Sequence, residues 1–369
     1  MSAGEVAEKR TVVLLFGGRS SEHGISCVTA AGVLRSIDRS RFDVIPVGIT
    51  KRGATVLLQA SDLDGYRLEA GALPEVIENG TRVLWPASID TKALTLITAD
   101  GKVTSLGHVD VVLPTMHGPF GEDGTVQGLL DLVDLPYVGS GVLGSALAMD
   151  KHVAKTVLAD AGIAVAPWRT VTAHEISRNP GIASSLDEGL SYPLFVKPAR
   201  AGSSVGVSRV TEAAELPAAL DVAFAEDSVV LVESGVTGRE VEIAVLQGRN
   251  GAAPRTSTVI GEIVFTGRAF YDFEAKYLGA SGVDLELPAK VTDTEFEAIR
   301  DAAVRSFEAA QLAGLARIDF FLTEDGPVLN EINTLPGFTP VSMYPRLWEE
   351  SGLSYTDLIT ELIELALER

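Results

Sequence analysis

The sequence predicts an α/β protein built from more than one domain, and three observations carry that expectation. Apolar runs, the first of them ending in Gly17 and Gly18, alternate with helix-like stretches through the first third of the chain, as strand–loop–helix units do. At 369 residues the chain is longer than one hydrophobic core usually supports. Near its C-terminus two neighbouring strand-like runs each carry polar residues two apart, which puts them on one face of a strand.

The first strand is expected from Thr11 to Phe16, a continuous apolar run that ends in Gly17 and Gly18 and so reads as a buried parallel strand. Phe42 to Ile49 and Val109 to Pro114 read the same way, with helices from Val28 to Ile37 and from Gly124 to Leu132. Residues 51–107 carry short strand-like pieces, Ala93 to Thr98 among them, and read as an insertion in an N-terminal domain of residues 1–138. A helix from Ala146 to Ala161, stopped by Gly162, begins a central region of residues 139–236 with strand-like pieces at Leu194 to Lys197, Gly206 to Val210 and Val229 to Glu233. The remainder, residues 237–369, is expected to hold strands at Val241 to Leu246 and Ile260 to Val264, then a helix from Asp293 to Ala310. Two adjacent strands at Leu315 to Leu322 and Pro327 to Ile332, and a C-terminal helix, complete it.

With 46% hydrophobic and 22% charged residues the chain is ordinary globular material. Its 30 Lys and Arg against 50 Asp and Glu give a net charge of −20, which argues against nucleic acid or an anionic membrane as partner. The single cysteine, Cys27, excludes an internal disulfide and any multi-cysteine metal site, and fits a reducing compartment. The N-terminal stretch carries acidic residues and lacks an apolar core, and no run of about 18 apolar residues follows, so a cytoplasmic protein is expected.

The constellation of highest content is Arg317 and Asp319 followed by Glu331 and Asn333. If the two runs form a hairpin pairing 322 with 328, then 319 stands opposite 331, 317 stands opposite 333, and all four residues converge. That requires an odd-length loop, because a two-residue Asp325-Gly326 turn slips the register by one and separates the pairs. Two carboxylates and an amide oxygen, set among apolar neighbours, suit Mg²⁺ rather than zinc.

The loop from Lys197 through Gly202, Ser203 and Ser204 to Gly206 can turn backbone N–H groups toward a phosphate, with Lys197 supplying a cation; an ordinary hairpin is the alternative. Gly17 to His23 and His117 to Gly124 are glycine-rich loops after parallel strands, where α/β folds hold ligands. Tyr271 to Tyr277 reads as a lid or an edge strand, and Gly337 lies in a Pro-Gly turn whose N–H can approach a ligand. Gly139, Gly141 and Gly144, with Asp160 beyond them, match a dinucleotide fingerprint, but the strand-like piece before them is only three residues long. No P-loop and no nucleophile elbow occurs.

Seven segments in order (17–26, 117–128, 137–151, 196–208, 270–277, 317–321 and 330–339) resemble the D-alanine–D-alanine ligase family of ATP-grasp enzymes, a likeness that runs from about residue 11 to 365. The resemblance implies an α/β ATP-grasp fold of three domains, with an N-terminal open parallel-sheet domain. ATP is then held between the central and C-terminal domains. It implies that Lys151, Lys197 and Lys276 contact phosphates, with Ser203 and Ser204 in the loop beside them. Glu233 and the Val236 backbone meet the adenine edge, Glu240 the ribose, and Asp319, Glu331 and Asn333 hold two Mg²⁺ or Mn²⁺ ions. Glu22 then binds the ammonium of the first D-alanine within a set that includes Ser203 and Tyr277, and His117 is a further first-substrate contact. Arg317 and the Gly337 amide stabilise the oxyanion, and Ser342 with the Met343 backbone takes the carboxylate of the second D-alanine. Two D-alanines and ATP are the implied partners; a monovalent cation and a homodimer stay open. Ser234 departs from the pattern, standing where many members carry a lysine near the adenine. Tyr277 favours a dipeptide product over a D-alanine–D-lactate ester, and a nicotinamide dehydrogenase resting on 139–144 is the remaining alternative.

Overall fold

The computed structural model describes residues 8–68, 73–202, 204–265 and 283–369. Strand β1 (Arg10–Gly17), helix α1 (His23–Ser36), β2 (Phe42–Ile49) and the short β3 (Thr55–Leu57) begin an open sheet. Strands β4 (Arg82–Leu84), β5 (Ala93–Ile97) and β6 (Val103–His108) form a separate antiparallel sheet, and β7 (Val111–Pro114) with helix α2 (Thr125–Leu132) returns to the first one. The order is β3-β2-β1-β7, with β1 parallel to both β2 and β7. β1 is buried on both faces, as its unbroken apolar run requires.

Helix α1 starts at His23, five residues before the expected Val28. Its first turns hide polar residues that bind the preceding loop, which breaks the apolar period. Ser26 Oγ accepts the Gly17 amide at 2.8 Å, and the His23 ring meets the Gly18 carbonyl through Nδ1 at 2.6 Å and the Val76 amide through Nε2 at 2.9 Å. A carbonyl only accepts, so Nδ1 carries the proton and the neutral ring pins the 51–107 insertion.

The expected helix from Ala146 to Ala161 is two helices, α3 (Val142–Met149) and α4 (Lys151–Asp160). Asp150 ends the first with extended dihedrals and caps the second, its Oδ1 accepting the amides of His152 at 3.0 Å and Val153 at 3.2 Å. An unexpected strand β8 (Trp168–Thr172) follows, then helix α5 (Ala173–Arg178), β9 (Leu194–Pro198), β10 (Ser208–Val210), helix α6 (Leu216–Phe224) and β11 (Val229–Ser234). These strands form an antiparallel sheet ordered β10-β9-β11-β8.

A larger antiparallel sheet contains β12 (Arg239–Leu246), β13 (Arg255–Thr256), β14 (Gly261–Phe265), β15 (Val283–Glu286), β16 (Leu315–Thr323) and β17 (Gly326–Asn333), in the order β15-β14-β12-β16-β17 with β13 beside β12. Helix α7 (Asp293–Ala309) covers it, with Ile299, Ala303 and Phe307 packed against Ile243, Ile318 and Phe320. Helices α8 (Met343–Glu350) and α9 (Tyr355–Leu367) fill the space between this sheet and the first. No helix among the described residues is long and apolar enough to cross a membrane.

The β16–β17 hairpin reaches the expected pairing by another route. Its turn has two residues, Glu324 and Asp325, so that Thr323 pairs with Gly326 and Leu322 with Pro327, not with Val328. A β-bulge then absorbs one residue: Phe320 pairs with Leu329, while Asp319 pairs with Glu331 and Arg317 with Asn333. The slip introduced by the even turn is thereby undone before the polar residues are reached.

The glycines at 139–144 serve packing. Any Cβ on Gly144 would meet the Gln311 carbonyl at 2.9 Å, and one on Gly314 would meet the Gly139 nitrogen at 2.9 Å. Only an isolated bridge, Val112 to Tyr137, precedes them, so the strand a dinucleotide fingerprint needs is missing.

Cys27 is fully buried in the core beneath β1, and burial pushes its thiol up to about 12. Iodoacetamide at mildly alkaline pH is expected to leave the native protein unlabelled and to add one group in urea, as read by intact mass. Labelling of the folded protein would contradict the packing of α1.

Candidate active site

Two adjoining cavities lie on the faces of these sheets. The first, of about 460 Å³, is bounded by Glu22 and His117 from the first sheet, by Arg317, Glu331 and Asn333 from the hairpin, and by Ser342 before α8. The second, of about 210 Å³, lies between the central and larger antiparallel sheets and is lined by Lys197, Glu233, Val236, Glu240 and Asp319 among others. Lys151, Gly202, Glu242, Arg317 and Glu331 line both, so a ligand in one meets groups of the other.

The shared wall is polar inside an apolar sheet. Arg317 donates from Nε to Asp319 Oδ1 and from Nη2 to Asp319 Oδ2, each at 2.8 Å, with Glu242 Oε1 3.4 Å from Nη2. Asn333 Nδ2 donates to Asp319 Oδ2 at 3.0 Å, which leaves its amide oxygen as the acceptor end. Burial opposes the Arg317 charge, but Asp319 and then Glu242 outweigh it and raise its pKa well above the usual guanidinium value. Asp319, Glu331 and Asn333 offer two carboxylates and an amide oxygen on one face, a hard donor set that fits a divalent cation bound through oxygen.

Two loops meet across the first cavity. His117 Nδ1 donates to the Leu335 carbonyl at 2.9 Å, which leaves Nε2 to accept from the Thr29 hydroxyl 3.4 Å away. Burial lowers the His117 pKa against the raising effect of Glu22. Glu122 accepts the Gly118 amide at 2.6 Å and the Leu335 amide at 2.9 Å. Both the backbone N–H and the backbone C=O of Leu335 are thus held by the 117–122 loop, two residues before Gly337. Gly118 has φ +69°, and a Cβ there would stand 2.8 Å from Glu22 Oε2, so glycine is required twice over. Ser342 caps the approach to Gly337, its Oγ accepting the Thr339 amide at 3.1 Å. Met343 opens α8 beside it and packs against Gly261.

In the second cavity Lys197 pairs with Glu233 across β9 and β11, and Lys151 donates from Nζ to the Ala201 carbonyl at 2.6 Å. Ser204 takes φ +59° in the loop after β9. Ser234, the departure noted above, accepts the Ser191 amide on its hydroxyl at 2.9 Å. Ser203, Lys276, Tyr277 and the rest of 270–277 lie outside the described residues.

The family models described as D-ala D-ala ligase N-terminus and C-terminus match residues 11–140 and 157–364. The chain belongs to the D-alanine–D-alanine ligase family. A D-alanine–D-alanine ligase of Kineococcus radiotolerans is 52% identical over 370 residues, covering 98% of this chain and 97% of the relative. One from Pseudarthrobacter chlorophenolicus is 48% identical, covering 100% and 97%. Among solved structures, the VanG D-Ala:D-Ser ligase of Enterococcus faecalis is 33% identical with a TM-score of 0.82, covering 97% of this chain and 100% of that one. The D-alanine-D-alanine ligase of Coxiella burnetii is 32% identical with a TM-score of 0.79, covering 98% and 95%. The fold is accordingly ATP-grasp, and the protein is an enzyme of the ligase class.

Reading the sequence for this ligase family missed Glu122, Glu242 and Lys155. Glu122 lies inside the 117–128 segment and Glu242 two residues from Glu240, on the same strand face. Only the fold shows that they turn inward.

Burial, and then the nearby Glu22, raise Glu122 from 4.5 to about 8, against the two amides that favour its anion. A carboxyl raised on folding adds stability at low pH that is lost as pH climbs through about 8. Glu122→Gln is expected to flatten the thermal-unfolding profile across that window, removing a fall in Tm of about 2–4 °C or more. An unchanged profile would show that Glu122 does not titrate there.

Proposed function

We propose that the chain joins two D-alanine molecules to D-alanyl-D-alanine, at the expense of ATP, in the cytoplasm and for peptidoglycan synthesis. The observation that carries this reading is the meeting of two cavities at Arg317, Glu242 and Glu331, one built to receive a zwitterion and the other lined with lysines. The names of the curated relatives support the same substrate.

In this reading ATP lies in the second cavity, with its base toward Glu233 and Val236, its ribose toward Glu240, and its phosphates toward Lys151, Lys197, Ser203, Ser204 and Lys276. The first D-alanine lies in the first cavity, its ammonium on the Glu22 carboxylate and close to His117. Its carboxylate oxygen attacks the γ-phosphorus of ATP, the bond to the β-phosphate oxygen breaks, and ADP and D-alanyl phosphate form. Bringing two anions together requires cations, which the lysines supply from the protein. Asp319, Glu331 and Asn333 would hold Mg²⁺ or Mn²⁺, which when bound neutralises phosphate charge.

The amine of the second D-alanine, whose carboxylate is read at Ser342 and the Met343 amide, then attacks the acyl carbon. The C–N bond forms, and the oxyanion of the tetrahedral intermediate is stabilised by Arg317 and the Gly337 N–H. Phosphate leaves with the C–O bond electrons, and the amine proton passes to solvent or phosphate. The His117–Leu335–Glu122 contacts support this step by holding the Gly337 turn in place before substrate arrives.

Incubation with ATP, Mg²⁺ and D-alanine is expected to yield ADP, phosphate and the dipeptide mass, with D-serine, D-lactate and L-alanine offered as competing acceptors. Preferential capture of D-serine or D-lactate would overturn the product assignment. Glu331→Gln is expected to lower kcat by about 100-fold or more and raise the Mg²⁺ requirement, with Tm little changed. A variant of native activity would remove Glu331 from the metal set.

A further inference from the structure

Lys155 is a buried lysine that the mechanism above does not use. It rises from α4, is 4% exposed, and its Nζ donates to the Ala166 carbonyl at 3.2 Å while standing 5.5 Å above the Trp168 ring. Its Nζ lies 3.0 Å from Glu233 Oε2, and Lys197 pairs with Glu233 Oε1 from the other side. Glu233, itself 4% exposed, is therefore gripped by a cation at each oxygen. Lys155 does not line the second cavity, whereas Glu233 and Lys197 do. It stands behind the carboxylate.

The two oxygens are not equivalent. The Lys155 ammonium stands against Oε2, an atom buried from solvent, while Oε1 is held by Lys197. Glu233 lines the second cavity, so a ligand there meets a carboxylate whose two oxygens are both held by cations. A carboxylate this deeply buried stays ionised and in one rotamer only if its charge is balanced, and an ionised carboxylate accepts hydrogen bonds but cannot donate one. Such an acceptor welcomes the 6-amino group of adenine and repels the 6-oxo group of hypoxanthine or guanine. Removing Lys155 would leave one cation for the pair of oxygens. The carboxyl could then rotate, or take a proton and donate to an oxo group.

We propose that Lys155 is a positioning residue that sets nucleobase choice by holding Glu233 as a fixed, purely accepting group, so that 6-amino purines are preferred over 6-oxo purines. The inference rests on the reading that Glu233 faces the nucleobase. It assigns Lys155 no contact with substrate.

The test compares kcat/KM for ATP and inosine triphosphate in the intact enzyme. Lys155→Met is expected to reduce the ATP preference about tenfold or more, through KM for ATP, with KM for D-alanine unchanged and Lys155→Arg restoring most of the preference. A folded Lys155→Met enzyme that keeps the wild-type preference overturns the proposal. Glu233→Gln separates the two levels of inference. If that variant leaves base preference unchanged, the nucleobase reading of Glu233 itself fails. If it relaxes preference and Lys155→Met does not, only the role of Lys155 fails. Should Lys155→Met not fold, the Glu233→Gln enzyme is compared with the Glu233→Gln/Lys155→Met enzyme, in which both buried charges are gone. Equal base preference in the two supports action through Glu233, and a further loss in the double variant refutes it.

Discussion

Arg317 and Asp319 grip each other through two hydrogen bonds of 2.8 Å inside an apolar sheet, and the arrangement of both cavities follows from that pair. A charge placed at this depth must be matched, and here the matching groups come from three adjacent strands: Glu242 on β12, Asp319 on β16 and Asn333 on β17. Removing one member of a buried set costs about 3–5 kcal/mol because the rest are left uncompensated. The cluster therefore ties β12, β16 and β17 into a fixed register. That register in turn sets where the two cavities join.

The same logic extends outward from the sheet. Leu335 lies two residues beyond β17, and the grip of His117 and Glu122 on its backbone fastens the first sheet's loops to the hairpin. Lys155 and Lys197 do for Glu233 what Glu242 does for Arg317, supplying the counter-charge without which burial would be prohibitive. The overall charge of −20 says nothing of this local balance. It governs which large partners are repelled, while the sign of the potential at the site is decided by a few residues within ångströms of each other.

Much of this was legible beforehand where the signal is local. Buried parallel strands announce themselves as unbroken apolar runs, and β2 spans the predicted residues to the last one. Polar pairs two apart named the face of the hairpin that carries Arg317, Asp319, Glu331 and Asn333. Where a local signal is carried by a polar residue, it was obscured. Asp150 capping α4 reads as one more polar residue in a helix, and the buried His23, Ser26 and Thr29 hide the first turns of α1. The hairpin register depended on a bulge at Asn330 that compensates an even turn, and neither feature has a distinctive residue type at that place.

By itself the sequence determined most of the strands and helices and the family, and it named the candidate residues for phosphoryl and acyl chemistry, because these depend on periodicity and on residue identity along the chain. Tertiary structure alone decided which of the remaining acids and lysines join them. Glu122 and Glu242 sit beside motif residues and Lys155 on a helix, but nothing local shows that they turn inward; they matter because folding removes water from around a charge far away in sequence and obliges some other residue to answer it.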